Sequence, residues 1–283
     1  MEAISITEED RILEILNSEG LVKFKNILSE VEVNTMKDDV LRLLSPATED
    51  ARNCIVPSES ANFIGHTMFV KNAIKAYTNK NVLNIGEQFC NSKVHLANHR
   101  IYQNIATKKE PQHWHKDNKV DFMKDGKLIT DMVSDDKGLI MIYYLEDVNE
   151  GGTEFIMGSQ DKLNTKESFS DSEVRKLGAV ISMNGSKAGE GVLYDYRMIH
   201  RAGPTYKSGH SRLSLFSQMS SNKMPAGEPI ALRTSDLGHL SEQAEAFLNY
   251  GVQSTSANWP LIRVGKKSIF KRIIQKVKRS FKS

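Results

Sequence analysis

The chain of 283 residues lacks the features that mark secreted and membrane-spanning proteins. It has two cysteines, Cys54 and Cys90, and no Cys-x-x-Cys motif, so a disulfide framework is not expected. No apolar run approaches the roughly 18 residues that a membrane-spanning helix needs. The acidic first residues lack the apolar segment of a secretory signal. These absences predict an intracellular, cytoplasmic protein.

Acidic residues are missing from one end of the chain. Residues 263–283 contain nine Lys or Arg and no Asp or Glu, so the remaining 29 basic and 35 acidic residues give the body a net charge of −6. Apolar residues of this tail recur every three or four positions, which predicts an amphipathic helix over 260–283. Such a helix is suited to an anionic membrane surface, here the inner face of the membrane. A helix docked on the domain, a dimerisation element and a nucleic-acid arm are the alternatives.

The rest of the chain changes from helical patterns to strand patterns. Helices are expected at 6–20, 29–44, 66–79 and 232–251, with a strand at 21–28, a loop at 45–66 and a surface insertion at 164–178. Strands are expected at 94–105, 113–117, 138–147, 151–158, 188–196 and 211–219. This order predicts an α+β, mainly β domain over 1–255, with helices packed on a sandwich or open barrel of strands.

One short stretch, HWHKDN at 113–118, concentrates metal-binding side chains. On a strand, His113, His115 and Asp117 would share one face because alternate side chains point the same way. A further ligand must come from elsewhere, and His200 is the best candidate. Two histidines and one carboxylate on one side of a metal form the facial triad of non-haem iron oxygenases.

A possible anchor for an anionic co-substrate follows twelve residues after His200. Arg212 and Ser214 would share a face of a strand. A guanidinium beside a hydroxyl is suited to a carboxylate, which it binds through a planar pair of charge-assisted hydrogen bonds.

These features together resemble the Fe(II)/2-oxoglutarate-dependent dioxygenases of the phytanoyl-CoA hydroxylase type. The His-x-Asp pair, the distant His and the Arg-x-Ser pair occur in the family's order. YYLEDVNEGGTEFIMGSQ (143–160) is similar to the family's strand–Gly-Gly–strand segment, and its GSQ is close to the family's PGSH. LNSEGLVKFKNILSEVEVNTMKDDV (16–40) resembles its opening segment. The resemblance covers about residues 10–220.

The resemblance implies a double-stranded β-helix, with its core at about 94–220, flanking helices and the tail helix. It implies that His115, Asp117 and His200 bind Fe(II) and that Arg212 and Ser214 hold the distal carboxylate of 2-oxoglutarate. The implied reaction consumes O2 and 2-oxoglutarate, releases succinate and CO2, and oxidises a substrate, most simply by hydroxylation. His113 is then left as a neighbour that lines the substrate pocket or has a structural role.

Four further residues lie on strands that could line the cavity and contact the co-substrate: Tyr102, Gln103, Tyr143 and Thr153. Each is an ordinary strand residue in the alternative interpretation.

The expected substrate is a small molecule, a lipid or a lipid-linked glycan; the last two are motivated only by the tail. Asp117 argues against the related halogenases, in which a small residue replaces the carboxylate. Gln218 stands where AlkB-type demethylases carry a second arginine, and the body is acidic, so no nucleic-acid partner is expected. The rival functions are a metalloenzyme of similar fold that does not use 2-oxoglutarate and a non-catalytic, membrane-associated binding protein.

Overall fold

The computed structural model describes residues 1–44, 55–57, 61–64, 70–105, 112–124, 127–132, 137–162, 168–205, 211–221 and 240–248. The tail helix predicted at 260–283 lies outside these ranges, as do Cys54 and the end of the domain predicted at 1–255. Within the described ranges, no helix is both long enough and apolar enough to cross a membrane.

Six helices are present in the described part of the chain. They are α1 (Glu9–Glu19), α2 (Glu30–Leu44), α3 (Ala73–Tyr77), α4 (Lys80–Cys90), α5 (Asp171–Leu177) and α6 (Glu242–Phe247). Helix α1 buries Ile12 and Leu16 and ends at Gly20, whose positive φ of 85° favours glycine. Helix α2 is capped at Ser29: the Ser29 amide donates to the Glu32 carboxylate at 2.9 Å, and the Glu32 amide donates to the Ser29 hydroxyl at 3.3 Å.

The described strands form two large sheets and one hairpin. The strands are β1 (Ala3–Ile4), β2 (Leu21–Phe24), β3 (Ile55–Pro57), β4 (Ala61–Ile64), β5 (His95–Ile105), β6 (Trp114–His115), β7 (Lys119–Lys124), β8 (Lys127–Met132), β9 (Gly138–Tyr144), β10 (Thr153–Ile156), β11 (Ser168–Phe169), β12 (Val180–Ser182), β13 (Gly191–Asp195), β14 (His200–Ala202) and β15 (Ser211–Ser220). The eight-stranded sheet has the order β1-β2-β13-β9-β15-β5-β4-β3, and the five-stranded sheet has the order β11-β6-β14-β10-β12. Among the described strands, β7 and β8 pair only with each other.

Strand β9 shows how the layers stack, because it is buried on both faces. Its Met141 and Tyr143 lie in the core that the helices build on one face of the eight-stranded sheet. Its Ile142 and Tyr144 lie in a second core, which they share with Phe155 of the five-stranded sheet. Helices therefore cover one face of the large sheet, and the small sheet covers the other. This is the predicted double-stranded β-helix with flanking helices.

Three local predictions differ from the structure. The predicted loop at 45–66 contributes β3 and β4, which extend the edge of the large sheet in its described part. The predicted insertion at 164–178 is part of the fold, because β11 pairs with β6 and α5 buries Val174. The strand predicted at 113–117 is reduced to Trp114–His115, so Asp117 lies beyond its end.

Candidate metal centre

Two histidines face each other on neighbouring short strands of the five-stranded sheet. His115 on β6 and His200 on β14 are direct register partners. Their ring centroids lie 4.4 Å apart. The sheet register therefore brings together side chains that are 85 positions apart in the sequence.

Each imidazole is oriented by a backbone carbonyl. The Nδ1 of His115 lies 2.8 Å from the carbonyl oxygen of His113, and the Nδ1 of His200 lies 3.0 Å from that of Met198. A carbonyl can only accept, so each Nδ1 carries the proton and donates it. With Nδ1 protonated, Nε2 is the ring nitrogen that would give up any proton it carries and bind a metal ion.

Asp117 completes the group from the irregular segment just beyond β6. Its Oδ2 lies 3.2 Å from Nε2 of His200, and its Oδ1 lies 3.8 Å from Nε2 of His115. Its backbone is held on both sides: the amide donates to the carbonyl of Tyr196 at 2.9 Å, and its own carbonyl accepts from Nε2 of Gln218 at 3.2 Å. These two hydrogen bonds, rather than the alternation of side chains along a strand, therefore turn Asp117 towards the histidines.

In the described part of the chain, these three side chains form the only cluster of metal-binding type. Their ligand atoms all lie within 4.8 Å of one another. Two imidazoles and one carboxylate are a donor set suited to Fe(II), and a triad of this kind leaves coordination positions open. The residues present therefore fit the iron that the resemblance implies.

The electrostatics of the group are those of a site that attracts a cation. Burial disfavours the ionised form of Asp117, but the charges and the hydrogen bond of His200 outweigh burial and lower the pKa of Asp117. Burial acts against the charged form of His200 as well, and Asp117 nevertheless raises the pKa of His200. The carboxylate thus favours positive charge at the position where a metal would lie.

Arg212 lies at the other end of the intersheet space, on β15. It is 5% exposed, and its terminal nitrogens donate to the carbonyl of Gly151 and, at 3.1 Å, to Oδ1 of Asn104. Within the described residues it pairs with no carboxylate, and its buried Nε has no hydrogen-bond partner. Burial lowers the pKa of Arg212. A buried guanidinium with only neutral partners fits an incoming carboxylate, as 2-oxoglutarate would supply.

Three of the residues predicted to contact the co-substrate face the space between the two sheets, as Arg212 does. Ser214 is buried and is the register partner of Tyr102, whose ring packs edge-on against Phe216 at 5.7 Å. Thr153 is buried on β10, two residues before Phe155, which stacks on His200 at 5.9 Å. The structure thus brings Ser214, Tyr102 and Thr153 to the space between the sheets.

Tyr143 and Gln103 lie on the opposite side of the large sheet, contrary to expectation. The hydroxyl of Tyr143 donates to the carbonyl of Ala76 at 2.7 Å, under the helices. Gln103 pairs in register with Leu213, which belongs to the same helix-covered core. Because directly paired residues of a sheet share a face, neither side chain reaches the space between the sheets, and the prediction that Tyr143 and Gln103 contact the co-substrate is wrong.

Tyr144 is the cavity residue that sequence reasoning missed. Its ring lies 6.0 Å from the guanidinium carbon of Arg212. Burial raises the pKa of Tyr144 to about 12, although Arg212 and the nearby Thr153 hydroxyl act in the opposite direction. The sequence did contain a signal for this residue, the adjacent pair Tyr143–Tyr144. Because side chains alternate along a strand, one of the two had to face the space between the sheets, but the sequence did not show which.

His113 contributes to the site through its backbone. Its side chain is exposed, and its carbonyl orients His115. A contact between its imidazole and a substrate stays a prediction.

The face of the small sheet behind the histidines is closed by a polar cluster. Trp114 is buried, as expected for a residue facing away from the ligands, and its indole N–H donates to Asp171 at 2.7 Å. The same carboxylate accepts from Arg201 at 3.0 Å, and Arg201 lies over the Trp114 ring at 4.2 Å. Asp171 thus connects the residues next to both histidine ligands.

The fold and the site define a class: double-stranded β-helix proteins with two histidines and an aspartate grouped at one end of the space between the sheets. The particular family follows from a match of residues 16–214 to the phytanoyl-CoA dioxygenase (PhyH) family model. The chain belongs to this family. No curated protein matches it.

Solved structures that resemble the chain share its fold at low sequence identity. AviO1 from Streptomyces viridochromogenes Tue57 is 14% identical, with a TM-score of 0.56 over 78% of this chain and 98% of its own. The epimerase SnoN, in complex with Fe3+, alpha ketoglutarate and nogalamycin RO, is 16% identical, with a TM-score of 0.57 over 89% of this chain and 93% of its own. HygX from Streptomyces hygroscopicus, with nickel, 2-oxoglutarate and hygromycin B, is 12% identical, with a TM-score of 0.56 over 80% of this chain and 93% of its own.

Proposed function

We propose that the chain is an Fe(II)- and 2-oxoglutarate-dependent dioxygenase that hydroxylates a small-molecule substrate. The observation that carries the proposal is a complementary pair of sites in one intersheet space. At one end, His200 and its partners present ligand atoms that attract a cation. At the other end, Arg212 is a buried cation with neutral partners. Iron and a dicarboxylate would satisfy the two ends.

Each residue has a defined task in this proposal. His115, Asp117 and His200 hold the iron, and their carbonyl and amide partners keep them oriented before metal arrives. Arg212 and Ser214 hold the distal carboxylate of 2-oxoglutarate. Tyr144, Tyr102 and Thr153 enclose the co-substrate and keep water away from it. When bound, iron and 2-oxoglutarate supply an oxidant from O2, with succinate and CO2 as products.

Hydroxylation is the reaction that requires the fewest additional catalytic groups from the protein. Asp117 occupies the position that would have to be vacated for a halide. Similar structures include an epimerase and a carbocyclase, so enzymes of this fold do not share one outcome. Hydroxylation needs only substrate placement at the metal and no additional acid or base.

The similar structures also support a small-molecule substrate. SnoN is described in complex with nogalamycin RO and HygX in complex with hygromycin B. A nucleic-acid substrate is disfavoured because the side chain of Gln218 is engaged with the backbone of Asp117 and the body of the chain is acidic.

Succinate release from 2-oxoglutarate tests the proposal. We expect purified protein with Fe(II), ascorbate and air to form succinate slowly without substrate and faster with a true substrate, in a screen of small molecules, acyl compounds and lipid-linked sugars. Arg212→Gln should abolish this turnover. If Arg212→Gln leaves the metal-dependent activity unchanged, the enzyme belongs instead to the rival class that does not use 2-oxoglutarate.

A second proposal rests on the sequence of residues 263–283 alone. Their apolar stripe and basic face favour attachment to an anionic membrane surface. Flotation with vesicles of phosphatidylserine and phosphatidylcholine should recover the full chain and lose a chain ending at residue 262. Equal recovery of both would contradict the proposal.

A further inference from the structure

A buried lysine separates two of the candidate metal ligands. Lys116, between His115 and Asp117, has no exposed surface. Its ammonium donates to three backbone carbonyls, those of Ser159 at 3.4 Å, Gln160 at 3.3 Å and Lys162 at 2.6 Å. An ammonium has three N–H groups, so one side chain satisfies all three carbonyls.

These carbonyls belong to one short segment, residues 158–162, which we call the carbonyl turn. It follows β10 and includes the GSQ motif that resembles the family's PGSH. The turn is closed by the Lys162 amide, which donates to the Ser159 carbonyl at 3.0 Å. It is also fixed to the helical layer, because the Gly158 amide donates to the carbonyl of Glu19 at 3.0 Å.

The carbonyl turn also holds the segment that carries the other histidine. The hydroxyl of Ser159 accepts a hydrogen bond from the backbone amide of Ile199 at 2.9 Å, in a fully buried position. Ile199 directly precedes His200. Ser159 therefore contacts both ligand-bearing segments, one through its carbonyl and the other through its hydroxyl.

The chemistry of Lys116 suits it to setting the direction of its neighbours. A side chain that is anchored at three points fixes the rotation of its own backbone segment, and the ligands on either side rotate with that segment. Burial lowers the pKa of Lys116 to about 8; Asp195 and Asp161 favour its ammonium and Arg197 opposes it. Asp195 is itself paired with Arg197 at 2.5 Å. The carbonyls are thus the principal partners of Lys116.

We propose that Lys116 and Ser159 are positioning residues that hold His115, Asp117 and His200 in metal-binding geometry through the carbonyl turn. The proposal rests on the proposed function, because it assumes that these three residues bind a metal. It adds a role for the residue between the ligands and for the serine of the GSQ motif. Neither residue is itself a metal ligand in this proposal, so their effect should appear in metal affinity.

The test is a titration of the metal-free full chain with Co(II), followed by its visible absorption. The variants are Lys116→Met and Ser159→Ala. Lys162→Met is the matched control, because its ammonium donates to the carbonyl of Leu177 at 2.7 Å and, among the described residues, has no hydrogen bond to either ligand segment. We expect Co(II) affinity to fall about 10-fold or more for Lys116→Met, about 3-fold to 10-fold for Ser159→Ala, and less than 2-fold for Lys162→Met.

Circular dichroism and the thermal midpoint of the metal-free variants separate positioning from a purely structural role. A structural role would lower the midpoint but leave the affinity of the folded protein unchanged. Folded Lys116→Met that binds Co(II) within 2-fold of wild type would overturn the proposal. If Lys116→Met does not fold, Ser159→Ala decides, and an unchanged affinity overturns it again. Failure of the wild-type chain to bind Co(II) would instead remove the proposed function itself, and this inference with it.

Discussion

The metal centre and the Arg212 end of the cavity are built in contrasting ways. The metal ligands come from the small sheet, on strands of two or three residues and a turn, and interact with one another. Arg212 comes from the ten-residue strand β15 of the large sheet and interacts only with neutral groups among the described residues. The metal centre is a set of ligand atoms arranged for a cation, whereas Arg212 is a buried cation suited to binding an anion.

This difference shows how one cavity can bind two unlike partners. The carboxylate of Asp117 raises the pKa of His200, whereas burial lowers the pKa of Arg212. Each end is electrostatically incomplete by itself. Substitutions at the metal centre or at Arg212 should therefore change binding at that end and leave binding at the other end nearly unchanged.

The largest effect is expected when the anionic metal ligand is removed. Asp117→Ala takes away the only carboxylate of the triad, so Fe(II) affinity should fall by at least about 100-fold and succinate formation should disappear. Anaerobic Fe(II) titration measures the first effect and product analysis the second. Asp147→Ala is the control, because that carboxylate is exposed, pairs with Lys187 at 2.8 Å and lies outside the carbonyl turn. Retention of wild-type affinity by Asp117→Ala would contradict the assigned ligand set.

A comparably specific effect is expected at the other end. Arg212→Gln removes a buried charge and its charge-assisted hydrogen bonds, which are worth about 1.5–3 kcal/mol each. The Kd for 2-oxoglutarate should therefore rise by about 10-fold to 100-fold or more, while Co(II) affinity stays within about 3-fold of wild type. Isothermal titration of the Co(II)-loaded protein measures it, with the exposed Arg175→Gln as the control. Parallel losses of both affinities would break the division between the two ends.

A change of pH should alter metal affinity but not 2-oxoglutarate affinity, without any mutation. The raised pKa of His200 means that a proton competes with the metal, so metal affinity should fall about 10-fold per pH unit below that pKa, beginning above the usual value of about 6.5. An arginine stays protonated throughout this range, so 2-oxoglutarate affinity of the metal-loaded protein should not change between pH 6 and 8. Titrations across that range measure both affinities. A flat metal profile would contradict the pairing of His200 with Asp117.

The same pairing predicts the stability of the metal-free protein. The raised pKa of His200 adds stability that is complete below pH 6.5 and is lost as pH rises through the folded-state pKa. The lowered pKa of Asp117 adds stability that is complete above about pH 4 and is lost as pH falls through its folded-state value. Denaturation should therefore show both contributions in full between about pH 4 and 6.5.

The smallest effect is expected behind the small sheet. Asp171→Ala removes hydrogen bonds to Trp114 and Arg201, but the carboxylate is largely exposed, so the free energy of unfolding should fall by only about 1 kcal/mol. Metal affinity should change less than 3-fold, in contrast to Lys116→Met. Urea denaturation and Co(II) titration measure the two quantities. A 10-fold loss of affinity would mean that this cluster also positions the ligands.

The long elements of the fold were predictable because their side chains repeat a pattern over many residues. Strand β15 was expected at 211–219 and spans Ser211–Ser220, and α2 was expected at 29–44 and spans Glu30–Leu44. The register of β15 then places Arg212 and Ser214 on one face, as the alternation predicted.

The short elements were not predictable, because tertiary bonds rather than local pattern hold them. Strand β6 has two residues, and the orientation of Asp117 depends on Tyr196 and Gln218, which are distant in sequence. Lysine is usually a surface residue, but Lys116 is buried because its ammonium donates hydrogen bonds to the carbonyl turn. Strands β3 and β4 lie in a stretch with no period at all.

The most direct test of the account is an anaerobic titration of the metal-free protein with Fe(II) and then 2-oxoglutarate, followed by visible absorption. We expect a weak metal-to-ligand band to appear only after both are added, and Arg212→Gln to need at least about 10-fold more 2-oxoglutarate. Admission of air should then yield succinate. Absence of the band in the wild-type protein, together with absence of succinate in air, would contradict the assignment of both ends of the cavity.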